Sequence, residues 1–151
     1  MAPETLEYSD QQLSGCGELL EKLVARLGGT EASAVLLARD GVRRAHAGAF
    51  ADKAVDSADR MAAMGSGLYS LGRQGGHGAV MEAGGLRQIL VEMDGLFVMA
   101  VSAGYGSVLV VRVPRSADPN LVGYEMTTFV KGMAEYLGTP DRRIDTPAAG
   151  Q

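Results

Sequence analysis

The chain has 151 residues, 46% hydrophobic and 21% charged, which is ordinary for a soluble globular protein and economical as one domain. Its formal charge of −4, with Arg43-Arg44 and Arg142-Arg143 the only adjacent basic pairs, argues against nonspecific binding to nucleic acid or anionic lipid. A single cysteine, Cys16, excludes an intramolecular disulfide and a cysteine-built zinc site. The absence of a signal segment or of any ~18-residue apolar window makes the cytoplasm the expected location, without direct membrane insertion.

Residues 1–8 read as a flexible tail. Ser9 followed by Gln12 resembles a capping box, and the helix it opens is expected to run to Gly28-Gly29, a natural C-terminal stop. Leu13, Cys16, Leu20, Leu23, Val24 and Leu27 follow the helical period, which makes Cys16 a buried, inert thiol. Residues 32–39 read as a strand, Asp40-Gly41 as a turn and residues 42–48 as the return strand. Arg43, Arg44 and His46, with only small residues between them, suit an exposed edge where charge blocks unwanted strand addition.

Asp56 is the expected N-cap of a helix through Arg73, with Met61, Met64, Leu68 and Leu71 as its core stripe. Ala58, Ala62, Gly65, Ser66 and Tyr69 form an adjoining stripe of mostly small residues, which would let another helix approach closely. Residues 72–85 read as a glycine-rich loop. Three strands follow in residues 87–113, joined by turns at Asp94-Gly95 and Gly104-Tyr105-Gly106. Asp-Gly between apolar runs is a strong hairpin signal. Leu86 to Met93 is apolar on both faces, a hazard at a sheet edge unless it is paired. Asp118 caps the last helix with Pro119 at its first position. Val122, Met126, Phe129, Val130, Met133 and Leu137 form its core face, and Gly138 and Pro140 end it. Residues 9–138 thus form the domain and 139–151 a polar tail. The fold class is α/β of the α+β type, in the order α-β-β-α-β-β-β-α, with a five-stranded, mostly antiparallel sheet flanked by helices.

Candidate chemistry is sparse. The glycine-rich segment leaves a helix and enters a strand, the reverse of a phosphate loop, and lacks the Gly-Lys-Ser/Thr ending. His46 and His77 are the only histidines, so a three-histidine metal centre cannot form. Ser66 lies mid-helix, where its small size explains it, and no Gly-x-Ser-x-Gly elbow is present. Glu92 and Asp94 read as an edge charge and a turn former, and Arg43, Arg44 and Arg73 as solvated arginines. Of the eight methionines, six fall on core-facing periods: Met61, Met64, Met93, Met99, Met126 and Met133. No cofactor, metal or catalytic group is expected.

Four segments carry a resemblance: residues 38–42 (ARDGV), 60–68 (RMAAMGSGL), 91–98 (VEMDGLFV) and 122–126 (VGYEM). In this order, across about residues 11–143, the chain resembles the Roadblock/dynein light chain domain family, in particular the stand-alone bacterial members associated with small Ras-like GTPases. The resemblance implies the first and last helices on one face of the sheet and the middle helix on the other. It also implies a homodimer through the strand containing Ile89 and the middle helix, with Ala58, Ala62, Gly65, Ser66, Tyr69, Arg87, Ile89, Val91 and Met93 in the interface. The outer side of the paired middle helices, Asp59, Arg60, Ala63, Ser70 and Arg73, becomes the expected partner-binding surface. The implied function is a non-enzymatic regulatory scaffold for a cytoplasmic small Ras-like GTPase, with membrane recruitment through a partner. The alternative is an adaptor for a sensor histidine kinase or another signalling protein. A small-molecule sensor or enzyme is the third reading, for which the linear sequence offers no ligand constellation.

Overall fold

The computed structural model describes residues 4–28, 31–38, 40–50, 54–76 and 85–144. Its elements are β1 (Glu4–Glu7), α1 (Asp10–Ser14), α2 (Gly17–Arg26), β2 (Ser33–Ala38), β3 (Arg43–Gly48), α3 (Ala54–Gly76), β4 (Gln88–Glu92), β5 (Leu96–Gly104), β6 (Ser107–Pro114), α4 (Pro119–Leu137) and β7 (Asp141–Ile144). Strands β2 to β6 form an antiparallel five-stranded sheet in the order β3-β2-β6-β5-β4.

Alternation along the central strands divides the core in two, because successive side chains leave a strand on opposite faces. Ala34, Leu36, Phe97, Met99, Leu109 and Val111 pack under α1, α2 and α4 with Leu13, Cys16, Leu20, Leu23, Met126 and Met133. Val35, Leu37, Val98, Ala100, Val108 and Val110 face α3. The first and last helical elements therefore share one face and the middle helix covers the other, as expected.

The caps follow the sequence. Ser9 Oγ accepts from the Gln12 amide, and the Gln12 side chain accepts from Ser9 N–H at 2.8 Å. Gln12 Nε2 also donates to the carbonyls of Leu137 and Thr139, tying the start of α1 to the end of α4. Asp118 caps α4 through the Asn120 amide. At the β2–β3 turn, Asp40 Oδ1 accepts from Val42 N–H, and Gly41 takes the positive φ it requires. The Asp94-Gly95 hairpin closes with a Met93 N–H to Leu96 carbonyl bond, but neither turn residue has a positive φ. The left-handed turn is Gly104-Tyr105-Gly106, where Tyr105 sits at φ 48°. Its ring meets Tyr8 edge-to-face at 5.2 Å, and its carbonyl accepts from Tyr8 N–H.

Four expectations need correction. The first helix breaks in two at Gly15-Cys16, where glycines on both sides of Cys16 weaken helix propagation, yet its apolar positions all remain buried. Helix α3 starts at Ala54, so Asp56 lies within the helix and is not its N-cap. The same helix continues to Gly76, so Gly72–Gly76 are helical; the remainder of the expected loop before Gly85, with His77, lies outside the described residues. The termini are not simple tails either: Glu4–Glu7 pairs antiparallel with Asp141–Ile144 in a separate two-stranded ribbon.

Helix α3 meets the sheet through its smallest residues. Ala58 and Ala62 are fully buried, and a Cβ on Gly65 would lie 2.3 Å from Val110 Cγ2. Glycine to alanine normally stabilises a helix interior by about 1 kcal/mol. At Gly65 overpacking of about 1–3 kcal/mol opposes that gain. Gly65→Ala is expected to lower stability by roughly 1 kcal/mol or more in urea unfolding, whereas Gly132→Ala on α4, where a Cβ meets nothing, raises it by about 1 kcal/mol. Equal gains at both sites would contradict this seating of α3.

Candidate functional site: an edge strand and the flank of one helix

The sheet has two edges of different character. β3 carries Arg43 and Arg44, and its register slips between Leu36 and Leu37 of β2, an irregularity of the kind that blunts an edge. Both arginines are tied down. Arg44 donates to Asp10 at 2.8 Å and Asp40 at 2.9 Å, and Arg43 donates to Asp59 of α3 at 2.8 Å. β4 is the other edge, regular in its pairing to β5, and its outer side has no strand partner among the described residues. Ile89 and Val91 lie on the α3 face, opposite Ala100 and Val98, while Leu90 on the other face is 41% exposed.

Beside β4 the flank of α3 is apolar. Met64 is 37% exposed and Leu71 68% exposed, and Leu68 between them is half-buried. Met93, at the end of β4, is 43% exposed. Isoleucine 89 packs against α3 at Gly72, where a Cβ would stand 2.8 Å from its Cδ1. Met61, Met64, Met93 and Leu96 line a groove of about 260 Å³ near this flank, rimmed by Arg60 and Arg112. Arg112 Nη2 donates to the Ala49 carbonyl, and its guanidinium stands 6.0 Å from the Phe50 ring centroid.

The two stripes of α3 thus exchange the roles expected of them. Ala58, Ala62 and Gly65 face the chain's own sheet and offer no surface to a second copy. Tyr69 packs against the same cluster, and Ser66 lies at the β2–β3 turn near Gly41. Of the large stripe only Met61 is buried; Met64, Leu68 and Leu71 turn outward. The sheet face beneath is already filled by Val35, Leu37, Val98, Val108 and Val110, so a close helix must bring small side chains. Met93 likewise leaves the core expected for it, whereas Met99, Met126 and Met133 are buried. Two adjoining stripes on α3 were visible in the sequence, but nothing local ranks them.

The other expected residues also separate. On β4, Ile89 and Val91 are half-buried, and Arg87 is exposed just before the strand. Asp59 is engaged by Arg43 toward β3, whereas Arg60 lies at the methionine groove toward β4. Ala63 is exposed between them, and Ser70 and Arg73 line a different concavity toward β2.

No group of three or more potential metal ligands converges among the described residues. Burial pushes the Cys16 thiol up to about 11, and its Sγ contacts the Gln12 carbonyl oxygen at 3.6 Å, so it is inert as expected. No described helix is long and apolar enough to cross a membrane. Asp40 is held below its ordinary value: burial pulls it upward, but the Val42 amide and Arg44 outweigh that. His46 is not simply solvated. Its Nδ1 lies 3.1 Å from Arg43 Nη1, and its ring meets Phe50 edge-on at 5.7 Å. Burial, then the Arg43 charge, lower its pKa, with Asp59 opposing.

A family model for the Roadblock/LC7 domain matches residues 17–112. A crystal structure of a Roadblock/LC7 domain from Streptomyces avermitilis is 42% identical, over 80% of this chain and 96% of that one, with a TM-score of 0.70. Myxococcus xanthus MglB shares the fold at 12% identity, over 81% of this chain and 94% of that one, with a TM-score of 0.69. An MglB with a tetrameric arrangement does so at 17% identity, over 88% and 97%, with a TM-score of 0.68. No curated protein shows significant similarity.

The His46 geometry makes stability depend on pH. A folded pKa below the ordinary 6.5 means that the unfolded chain takes up the proton first. The contribution is present above pH 6.5 and is lost as pH falls through the folded value. His46→Gln is expected to flatten the fall in unfolding midpoint below neutrality; an unchanged slope would show that the Arg43–His46 contact has no such effect.

Proposed function

The chain belongs to the Roadblock/LC7 domain family, and from that membership we propose that it is a non-enzymatic, homodimeric regulatory scaffold for a cytoplasmic small Ras-like GTPase. The observation that carries the self-association is the contrast between the two sheet edges. A regular, partly apolar strand edge beside Met64, Leu71 and Met93 is the kind of surface soluble proteins cover. Pairing two β4 strands about a two-fold axis would extend the sheet across two chains, while the flanks of the α3 helices bury each other's methionines and leucines. The interface on this reading is Ile89, Val91 and Met93 with Met64, Leu68 and Leu71. The tetrameric arrangement of an MglB of the same fold supports association within this family.

The remaining outward side of α3, around Ala63, is the proposed GTPase-facing surface. A regulatory role without its own catalysis is supported by the family membership, and access to a membrane would come through a partner. The described residues form no metal cluster.

In light scattering, the native chain is expected to be a dimer at micromolar concentration. Leu71→Asp and Met93→Asp should each raise the dissociation constant by about 10–100-fold, since burying such a side chain contributes roughly 1.5–3 kcal/mol. Tyr124→Asp on the exposed side of α4 should leave it unchanged. A native chain that is monomeric at these concentrations would refute the pairing.

The GTPase reading is tested separately, by measuring complex formation and GTP turnover with the small Ras-like GTPase encoded nearest to this chain. Binding that Ala63→Arg weakens is the expected result. No binding in either nucleotide state sinks it, and recovery of a sensor histidine kinase instead would favour the adaptor role.

A further inference from the structure

A second concavity, of about 410 Å³, lies on the β2 side of α3, away from the apolar flank. Buried Leu37 and Val108 lie at its floor. Helix α3 supplies Ser66, Tyr69, Ser70 and Arg73, spaced one turn apart along one side, and the ends of β5 and β6 supply Ser102 and Ser107. The fold thus gathers four hydroxyl side chains, a phenol and a guanidinium from two distant stretches of sequence, α3 and the β5–β6 hairpin.

The pocket carries a positive charge on Arg73. Arg26, Arg43, Arg44 and Arg115 each have a carboxylate within ion-pair distance. Arg73, like Arg60, Arg87 and Arg112, has none among the described residues, and no acid lines the pocket, in a chain whose net charge is −4. The Glu7 side chain approaches the β5–β6 turn at Gly106 and is engaged in an interaction of its own.

The hydroxyls are partly committed in a way that leaves donors. Ser107 Oγ donates to the Gly104 carbonyl at 2.6 Å. Ser102 Oγ accepts from the Gly104 amide at 3.2 Å, which leaves its own proton to donate. Ser66 and Ser70 have no hydrogen bond among the described side chains. A guanidinium with three spare hydroxyl donors suits an oxyanion rich in lone pairs, and the volume exceeds that of a bare inorganic ion. The half-buried Tyr69 ring provides surface for an apolar or planar remainder.

We propose that this pocket binds a small phosphorylated compound, with the phosphoryl group held by Arg73 and the serine hydroxyls and its remainder against Tyr69. The proposal is independent of the GTPase reading, because the site lies within one chain.

The test titrates the full chain with phenyl phosphate, inorganic phosphate and phenol, following amide NMR signals of Ser66, Ser70, Ser102 and Ser107. Saturable shifts are expected with phenyl phosphate, weaker ones with inorganic phosphate, and none with phenol. Arg73→Gln, at an exposed position, should weaken phenyl phosphate binding roughly tenfold or more, the loss of a charge-assisted hydrogen bond. Ser70→Ala should weaken it by a smaller factor, with thermal unfolding of both variants unchanged. No saturable shift at millimolar phenyl phosphate, phenol binding as well as phenyl phosphate, or unaltered binding by Arg73→Gln would each overturn the proposal.

Discussion

The close approach of α3 to the sheet at Gly65 and Val110 constrains much of what surrounds it. With 2.3 Å between Val110 Cγ2 and the place a Gly65 Cβ would occupy, no larger residue fits without displacing the helix or the strand. Ala58 and Ala62 extend the same seam, fully buried. Once the small residues are committed inward, the helical period turns Met64 and Leu71 outward toward β4. The exposed apolar flank is therefore a consequence of how the core on that face is filled. The same rotation sets Ser66, Ser70 and Arg73 along the opposite flank, where they meet the ends of β5 and β6.

The two sheet edges show how a single chain limits where it can be extended. β3 has charge, a register irregularity and ion pairs to α1, the β2–β3 turn and α3, so strand addition there would have to dislodge Arg43 and Arg44. β4 has a regular register and a single charge, Glu92 at its end, which meets the exposed Arg115 at 3.9 Å. Its side chains alternate between the two faces, and its outer backbone groups have no strand partner among the described residues. An edge guarded on one side and open on the other directs association to one place, the feature on which the proposed dimer rests.

Local chemistry was legible where one residue type has one physical use. Ser9 with Gln12, Asp40-Gly41 and Asp118-Pro119 each satisfy orphan backbone groups within a few residues, so their roles need no tertiary context. Strand alternation and the long-period faces of α2 and α4 likewise identified the larger core. Sequence was weaker where the outcome depended on a distant partner. The break at Gly15-Cys16 keeps every apolar position in phase, so periodicity alone could not reveal it. The β1–β7 ribbon joins segments that carry no local strand signal strong enough to name them, because its hydrogen bonds come from the far end of the chain.

The sequence by itself determined the family, the order of the central elements, the turns and caps, and which segment would form an unguarded strand. These depend on interactions within a few residues or on simple periodicity. Only the tertiary structure decided which of the two stripes on α3 faces inward, since that choice depends on the volume of valines contributed by β2, β5 and β6. It alone also brought Arg73 to the serines of β5 and β6. Both outcomes follow from packing between surfaces far apart in sequence, where the shape left by one element selects the face presented by the next.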